Sequence, residues 1–304
     1  MQRSNEWFFP AGTLAGDGWD AVVDARIPGW QHTGLRVAQL GGDGRLVLPV
    51  GGVERMIIPL AGSFRVESVT ESSASTMFEL AGRPSVFDGP SDVLYLGDGG
   101  AVSITGAGRV AVAEAPTTVR KANRHIMRDD VPVELRGAGR SSRQVQNFGT
   151  PGILDASKLI VCEVITPAGN WSSYPGHKHD ELVPGVESRL EEIYYFESAV
   201  ERGARVPAAS DPFGTFATYS SPAGQIDTSA LVRSGDVALV PYGYHGPAAA
   251  APGYDLYYLN VMAGPDDERV WNITDDPAHS WVRQAWDEQA VDPRLPYAPS
   301  EGND

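Results

Sequence analysis

The chain has 304 residues, 42% of them hydrophobic and 21% charged, and its 39 acidic against 24 basic side chains leave a formal net charge of −15. That balance, with no basic run anywhere, excludes a phosphate-backbone partner, and no window approaches the roughly 18 apolar residues that a membrane span needs. The N-terminus has no basic segment followed by an apolar core, so the expectation is a cytoplasmic protein with neither nucleic-acid nor membrane partner.

With 34 Gly and 23 Pro, the composition suits many short strands joined by turns rather than a helical bundle. In the first half, strand-like runs occupy 35–40 (LRVAQL), 45–50 (RLVLPV), 55–60 (RMIIPL), 63–69 (SFRVESV), 93–96 (VLYL) and 109–115 (RVAVAEA). Gly, Asp and Pro punctuate them at the intervals of a sandwich or barrel. RMIIPL is apolar enough to lie in an interface, which admits a homo-oligomer. A polar stretch from about Pro116 to Arg143 reads as a connector.

The second half repeats the habit at 159–166 (LIVCEVIT), 192–197 (EIYYFE), 215–220 (TFATYS), 230–241 (ALVRSGDVALVP) and 254–264 (YDLYYLNVMAG). SDVLYL at 91–96 echoes GDVALV at 235–240, which suggests duplication. The single Cys162 sits inside an apolar run and reads as a buried small hydrophobe. Helical patterning appears only in DPAHSWVRQAWDEQA, where Trp281, Ala285 and Trp286 could form one apolar stripe and His279 a cap or surface residue.

Only 6 histidines are present, and two stand one residue apart in SYPGHKHDE. Alternate residues of a strand share a face, so His177 and His179 converge while Lys178 points away. Such a pair suits a metal ion that takes further ligands from neighbouring strands. Glu192 opens a strand on which it shares a face with Tyr194 and Phe196, and His245 follows VALVP in a Gly-rich turn that could aim it into a barrel mouth. Together they make three His and one Glu.

An H-x-H, a Glu opening the next strand and a G-D-x-x-x-x-P followed by His resemble the two motifs of the cupin β-barrels. The strings SSYPGHKHD, LEEIYYF, GDVALVPYGYHGP and YDLYYLNVMAGP, with RGAGRSSRQVQNFGTPG upstream, resemble the 5-deoxyglucuronate isomerase family of myo-inositol catabolism. That family is related to the 4-deoxy-5-ketouronate isomerase of pectin degradation. The resemblance implies an all-β fold of two cupin barrels, an N-terminal one with its connector over 1–135 and a catalytic one with its tail over 136–304. It implies conversion of 5-deoxy-D-glucuronate to 5-dehydro-2-deoxy-D-gluconate, and His177, His179, Glu192 and His245 as ligands of one divalent transition metal, Zn, Mn, Fe, Co or Ni. The first half has no H-x-H, so its barrel is expected to be metal-free. Twelve residues separate His179 from Glu192, more than is usual in cupins, which leaves Glu191, Glu187 and Glu181 open as the carboxylate ligand. Alternation prefers Glu192 and turns Glu191 outward. The long gap before His245 suggests a surface excursion or lid over about 198–210.

Moving a carbonyl from C1 to C2 requires removal of a weakly acidic C–H proton, for which a Lewis-acid metal and a general base serve. Tyr174, Tyr244 and Glu187 are candidates for the proton-handling group. A sugar-acid carboxylate calls for a cation, with Arg143, Arg189 and, if it lies in a loop, Lys178 as candidates, and Tyr242 beside them. An iron-dependent dioxygenase and a non-catalytic sugar-acid-binding cupin are the alternative readings of the same residues.

Overall fold

In the computed structural model, which describes residues 5–70 and 74–298, the runs RMIIPL and SFRVESV belong to one strand, Val53–Val69. It pairs antiparallel with Ala101–Pro116 along its length. Where the sequence suggests a turn there is a bend: the register shifts between Pro59 and Ala61, and Gly62 stands opposite Gly108. These glycines have φ of +90° and +123°, and a Cβ on either would lie 2.0 Å from a carbonyl oxygen of the facing strand. Only glycine permits that approach.

Around this pair an eight-stranded sheet runs in the order Ala21–Val23, Gly34–Leu40, Ala101–Pro116, Val53–Val69, Val93–Leu96, Arg124–Ile126, with Arg45–Leu48 and Ser75–Arg83 added to the two long strands. Ser75–Arg83 escapes the sequence pattern because Ser75, Thr76 and Met77 are all exposed. The second half builds a seven-stranded sheet, in the order Phe8–Phe9, Val237–Val240, Glu191–Val200, Tyr254–Ala263, Ile160–Thr166, Arg143–Gly149, Val133–Arg136. A six-stranded sheet accompanies it, with Gly224–Val232, Gly214–Ser221, Tyr244–Ala250, His177–Lys178 and Thr274–Asp275 in order and Trp171–Ser172 beside Tyr244–Ala250.

The polar stretch read as a connector therefore carries structure. Arg124–Ile126 closes the first sheet and Val133–Arg136 opens the second.

Buried side chains fall into three clusters, one inside each barrel and one between them. Strand alternation divides them: Ile57 packs inside the first barrel while Met56, Ile58 and Leu60 face the second. Likewise Ile160, Cys162 and Val164 fill the second barrel, whereas Val161 and Ile165 meet the first. RMIIPL thus lies in an interface within the chain rather than between chains, and a strand buried on both faces reads as a continuous apolar run. The fully buried Cys162 has its thiol pushed up to about 12 by burial, consistent with its expected packing role.

Charged contacts cross the same interface. Arg83 and Glu163 form a buried pair with Nη1 to Oε2 at 3.0 Å, and Tyr257 donates to Glu163 at 2.7 Å. Arg109 reaches Glu197 at 2.7 Å, and Glu54 accepts from the backbone of Ser157 and Leu159 at 2.7 and 2.6 Å.

The segment expected to be helical is a 3-10 turn series over Ser280–Glu288, with His279 exposed at its N-cap position. Trp281 is 62% exposed, so the expected Trp281–Ala285–Trp286 stripe does not form. Eclipsing of residues three apart in a 3-10 turn sets Arg283 and Trp286 on one side instead. Among the described residues no helix is long and apolar enough to cross a membrane.

Candidate active site

The strand His177–Lys178 runs antiparallel to Tyr244–Ala250, with His177 directly opposite His245. Glu192 comes from the facing sheet, on Glu191–Val200. Alternation there turns Glu192, Tyr194 and Phe196 into the barrel and Ile193 and Tyr195 towards the first one. Glu191 does not face solvent: its carboxylate reaches the first barrel, accepting from the backbone of Gln31 at 3.2 Å and Thr33 at 2.6 Å, and from His32.

Nε2 of His179 and Nε2 of His245 each lie 3.0 Å from one oxygen, Oε2 of Glu192. The His177 ring lies beside these three, its centroid 4.5 Å from that of His245 and 6.4 Å from that of His179. The opposite nitrogens all face main-chain carbonyls: Nδ1 of His177 is 3.2 Å from Pro175 O, that of His179 3.1 Å from Leu190 O, and that of His245 3.4 Å from Gly243 O. A carbonyl only accepts, so each Nδ1 carries the hydrogen and each Nε2 offers a lone pair to the shared space. Lone pairs facing a carboxylate oxygen need a cation among them, either a ring proton or a metal, and His245 Nε2, although 3.0 Å from Glu192, makes no well-aligned hydrogen bond among the described residues.

The electrostatics carry the same signature. Burial pushes the Glu192 carboxyl up, but His179 and His245 outweigh it and hold the pKa at about 2. Burial pulls His179 down, and its bond to Glu192 prevails, leaving it above its ordinary value. His177, with burial and two neighbouring imidazoles against its charged form, is held well below. Three imidazoles and a carboxylate so disposed are the donors a divalent transition metal takes. Among the described residues, no comparable cluster lies in the first barrel.

His177 and Glu192 line a cavity of about 440 Å³ together with Tyr174, Tyr194, Tyr258 and Arg143. Arg143 is buried, and burial followed by the charges of Arg136 and Arg283 lowers its pKa to about 10. Its Nη1 donates to Ser141 O at 3.1 Å, and among the described residues no carboxylate pairs with it. The guanidinium lies 5.4 Å from the Trp286 ring, and Arg283, itself paired with Asp275, lies 5.3 Å from the same ring. Three further lining groups, Asn260 Nδ2, Trp271 Nε1 and Trp286 Nε1, are donors that find no partner among the described residues. A cavity so rich in spare donors fits an oxygen-rich anion.

Of the remaining sequence candidates, the structure keeps five away from this cavity. Lys178 is buried with Nζ between Asp180 at 2.8 Å, Glu181 at 2.9 Å and Glu187 at 2.8 Å, so its charge is already balanced. Glu187 also accepts from the backbone of Asp180 and Glu181, each at 3.0 Å, which leaves it neither a free base nor a ligand beside the histidines. These residues belong to the hairpin Asp180–Val183 and Glu187–Arg189, which absorbs the twelve-residue spacing. Arg189 pairs with Asp266 at 2.7 Å outside the cavity. Tyr242 is partly buried with its hydroxyl 3.4 Å from Gln225 O, and Tyr244 stacks on Tyr219 at 5.2 Å. Of the stretch 198–210 expected as a surface excursion or lid, 198–200 end the strand Glu191–Val200, 202–209 are exposed and none lines the cavity, which Trp271, Arg283 and Trp286 line.

Sequence reasoning did not single out Ser173, Tyr258, Arg136, Trp271 or Arg283 for the cavity. A signal existed for Asn260, a polar residue inside an otherwise apolar strand, and for Arg283, three residues from Trp286.

A family model described as the KduI/IolB family matches residues 9–282. A protein of Shouchella clausii named 5-deoxy-glucuronate isomerase is 37% identical over 219 residues, 71% of this chain and 76% of that protein. One of Geobacillus thermodenitrificans with the same name is 44% identical over 176 residues, and the match spans 58% of this chain and 59% of that protein. A crystal structure described as an IolB-like protein from Salmonella typhimurium superimposes with a TM-score of 0.80 at 33% identity, covering 91% of this chain and 99% of that one. Oxalate decarboxylase of Lactobacillus farciminis, with a TM-score of 0.61 at 12% identity over 90% of each chain, shares the fold.

Proposed function

Because this chain belongs to the KduI/IolB family, we propose that it isomerises 5-deoxy-D-glucuronate to 5-dehydro-2-deoxy-D-gluconate. The observation that carries the reading is a cavity lined by His177, Glu192 and the buried guanidinium of Arg143, with His179 and His245 each 3.0 Å from one Glu192 oxygen. The first barrel serves as scaffold, and the second, whose sheet includes Val133–Arg136 and Phe8–Phe9, as the working barrel of a cytoplasmic enzyme. A divalent transition metal held by His177, His179, Glu192 and His245 would polarise the carbonyl and adjacent hydroxyl oxygens as a Lewis acid, worth several kcal/mol.

The chain's own groups do the rest. Arg143 takes the substrate carboxylate in its planar fork, and the Trp286 ring between Arg143 and Arg283 keeps that fork oriented. Asn260 and the two indole N–H groups bind hydroxyls along the carbon chain. Trp271 and Trp286 exclude water, which strengthens each of these contacts. Tyr174, held edge-on against Trp171 at 5.5 Å, lines the same cavity beside His177.

The test is proton NMR of metal-loaded and chelator-treated protein with 5-deoxyglucuronate in D₂O. Metal-dependent ketose formation is expected, with deuterium entering the product as C–H protons exchange. A folded, metal-loaded sample that leaves the substrate unchanged would remove this reading.

A further inference from the structure

Ser173 occupies a strained backbone position. Its φ is +45°, in the left-handed region that non-glycine residues avoid, and a Cβ on Gly246 would lie 1.7 Å from its carbonyl oxygen. This conformation aims its hydroxyl into the barrel, where Oγ is 3.1 Å from Tyr194 Oη and 3.1 Å from Tyr258 Oη. All three residues line the cavity, and the Tyr194 ring is 6.1 Å from that of His245.

Three hydroxyls have three hydrogens, but only two hydrogen bonds join them. Ser172, the other hydroxyl near Tyr258, donates to Ala248 O at 2.9 Å and accepts from Thr166 at 2.7 Å, which leaves it one lone pair towards Tyr258. When the chain donates towards Tyr194, the Tyr194 hydrogen is left for a ligand, and when it donates towards Tyr258, the Tyr258 hydrogen is shared between Ser172 and the cavity. The chain can run from Tyr194 through Ser173 to Tyr258 or the reverse, and the two directions differ by one proton carried from end to end. A buried polar group that can point either way at little cost suits a transfer path.

We propose that Tyr194, Ser173 and Tyr258 form a neutral proton relay that moves the hydroxyl proton between the two substrate oxygens during isomerisation. The inference rests on the isomerase reading. Conversion of aldose to ketose breaks C2–H and O2–H and forms C1–H and O1–H, so C1 is reduced, C2 is oxidised and no co-reactant is needed. In the relay, O2–H gives its proton to one tyrosine oxygen, that tyrosine gives its own to Ser173, Ser173 to the second tyrosine, and the second tyrosine to O1. Each hydroxyl loses one hydrogen as it gains one, so none ionises. That suits a site where burial disfavours phenolate, with Tyr258 pushed up to about 12. Reset for the next turnover needs only rotation of three O–H bonds.

The experiment compares S173A and Y258F with wild type in metal content, steady-state kinetics and proton inventory in H₂O–D₂O mixtures. Both variants are expected to bind metal as wild type does and keep KM within about threefold, while kcat falls ~10²- to 10³-fold, the range of positioned proton transfer. Wild type should give a bowed inventory, with several protons in flight, and the variants a linear one. A merely structural role would leave the inventory's shape unchanged. The relay is overturned if either variant keeps kcat within threefold, if kcat falls only together with metal content, or if the wild-type inventory is linear. Absence of conversion by wild type would instead sink the isomerase reading, and the relay with it.

Discussion

Arg143 is a buried cation that no carboxylate among the described residues faces, an arrangement that is costly. Arg143→Met is expected to raise KM for the sugar acid ~10²-fold, since truncating one partner of a buried charge pair costs about 2 to 5 kcal/mol. Steady-state kinetics with the acid and with its neutral amide check this: only the acid should lose. His177→Ala and His245→Ala should each lose both metal and turnover, read by elemental analysis beside the NMR assay, and full activity without metal would overturn the donor set. At this scale the sequence is informative where strand alternation governs. Glu192 does turn inward with Tyr194, because residues two apart share a face. The same rule sends Glu191 to the opposite face but cannot say what waits there, which is a row of backbone N–H groups from Gln31 to Thr33. Nor could spacing reveal that Lys178 is neutralised by three carboxylates, since that depends on how the intervening hairpin folds.

The short segment Ser280–Glu288 shows how an element can be foreseen and its geometry missed. Pattern alone indicates a helix, yet the 3-10 winding exposes Trp281 and brings Arg283 and Trp286 to the cavity, more than a hundred residues from the histidine pair in the chain. Trp286→Ala should raise KM ~10-fold and leave metal content unchanged, because stacking of Arg143 contributes about 1 to 2 kcal/mol. The hairpin between His179 and Glu192 carries a stability role instead. Lys178→Met would strand three carboxylates, two of them buried, at a cost of about 3 to 5 kcal/mol. A fall in Tm of the metal-free protein measures it, and an unchanged Tm would show the charges to be solvated. Val133–Arg136 marks the opposite limit of sequence reading: its residues are exposed or half-buried, so they look like a linker although they close a sheet and place Arg136 beside Trp271.

For the molecule as a whole, the two barrels share one apolar cluster, and Arg83, Glu163, Arg109 and Glu197 span the seam. Calorimetry of the full chain should accordingly give a single transition, and two separable transitions would show the barrels to be independent. Arg83→Met, which leaves Glu163 buried without its cation, should destabilise that joint unit by about 3 to 5 kcal/mol. The two-barrel architecture was legible in the two sets of strand-like runs, the echo of SDVLYL by GDVALV and the family resemblance, and runs such as RMIIPL and IVCEVI are apolar on both faces. What those faces meet was not, since a doubly buried strand reads the same whether its second neighbour is another barrel or another chain.

Phe8 and Phe9 stand opposite Ala238 and Val237 in an antiparallel pair, so residues early in the chain complete the edge of the later barrel. On a ribosome, those first residues emerge more than two hundred positions ahead of their partners. The earlier barrel can assemble during synthesis, but Phe8 and Phe9 stay unpaired until Val237 and Ala238 have been made. Translation order and pairing order are thus opposed at this edge.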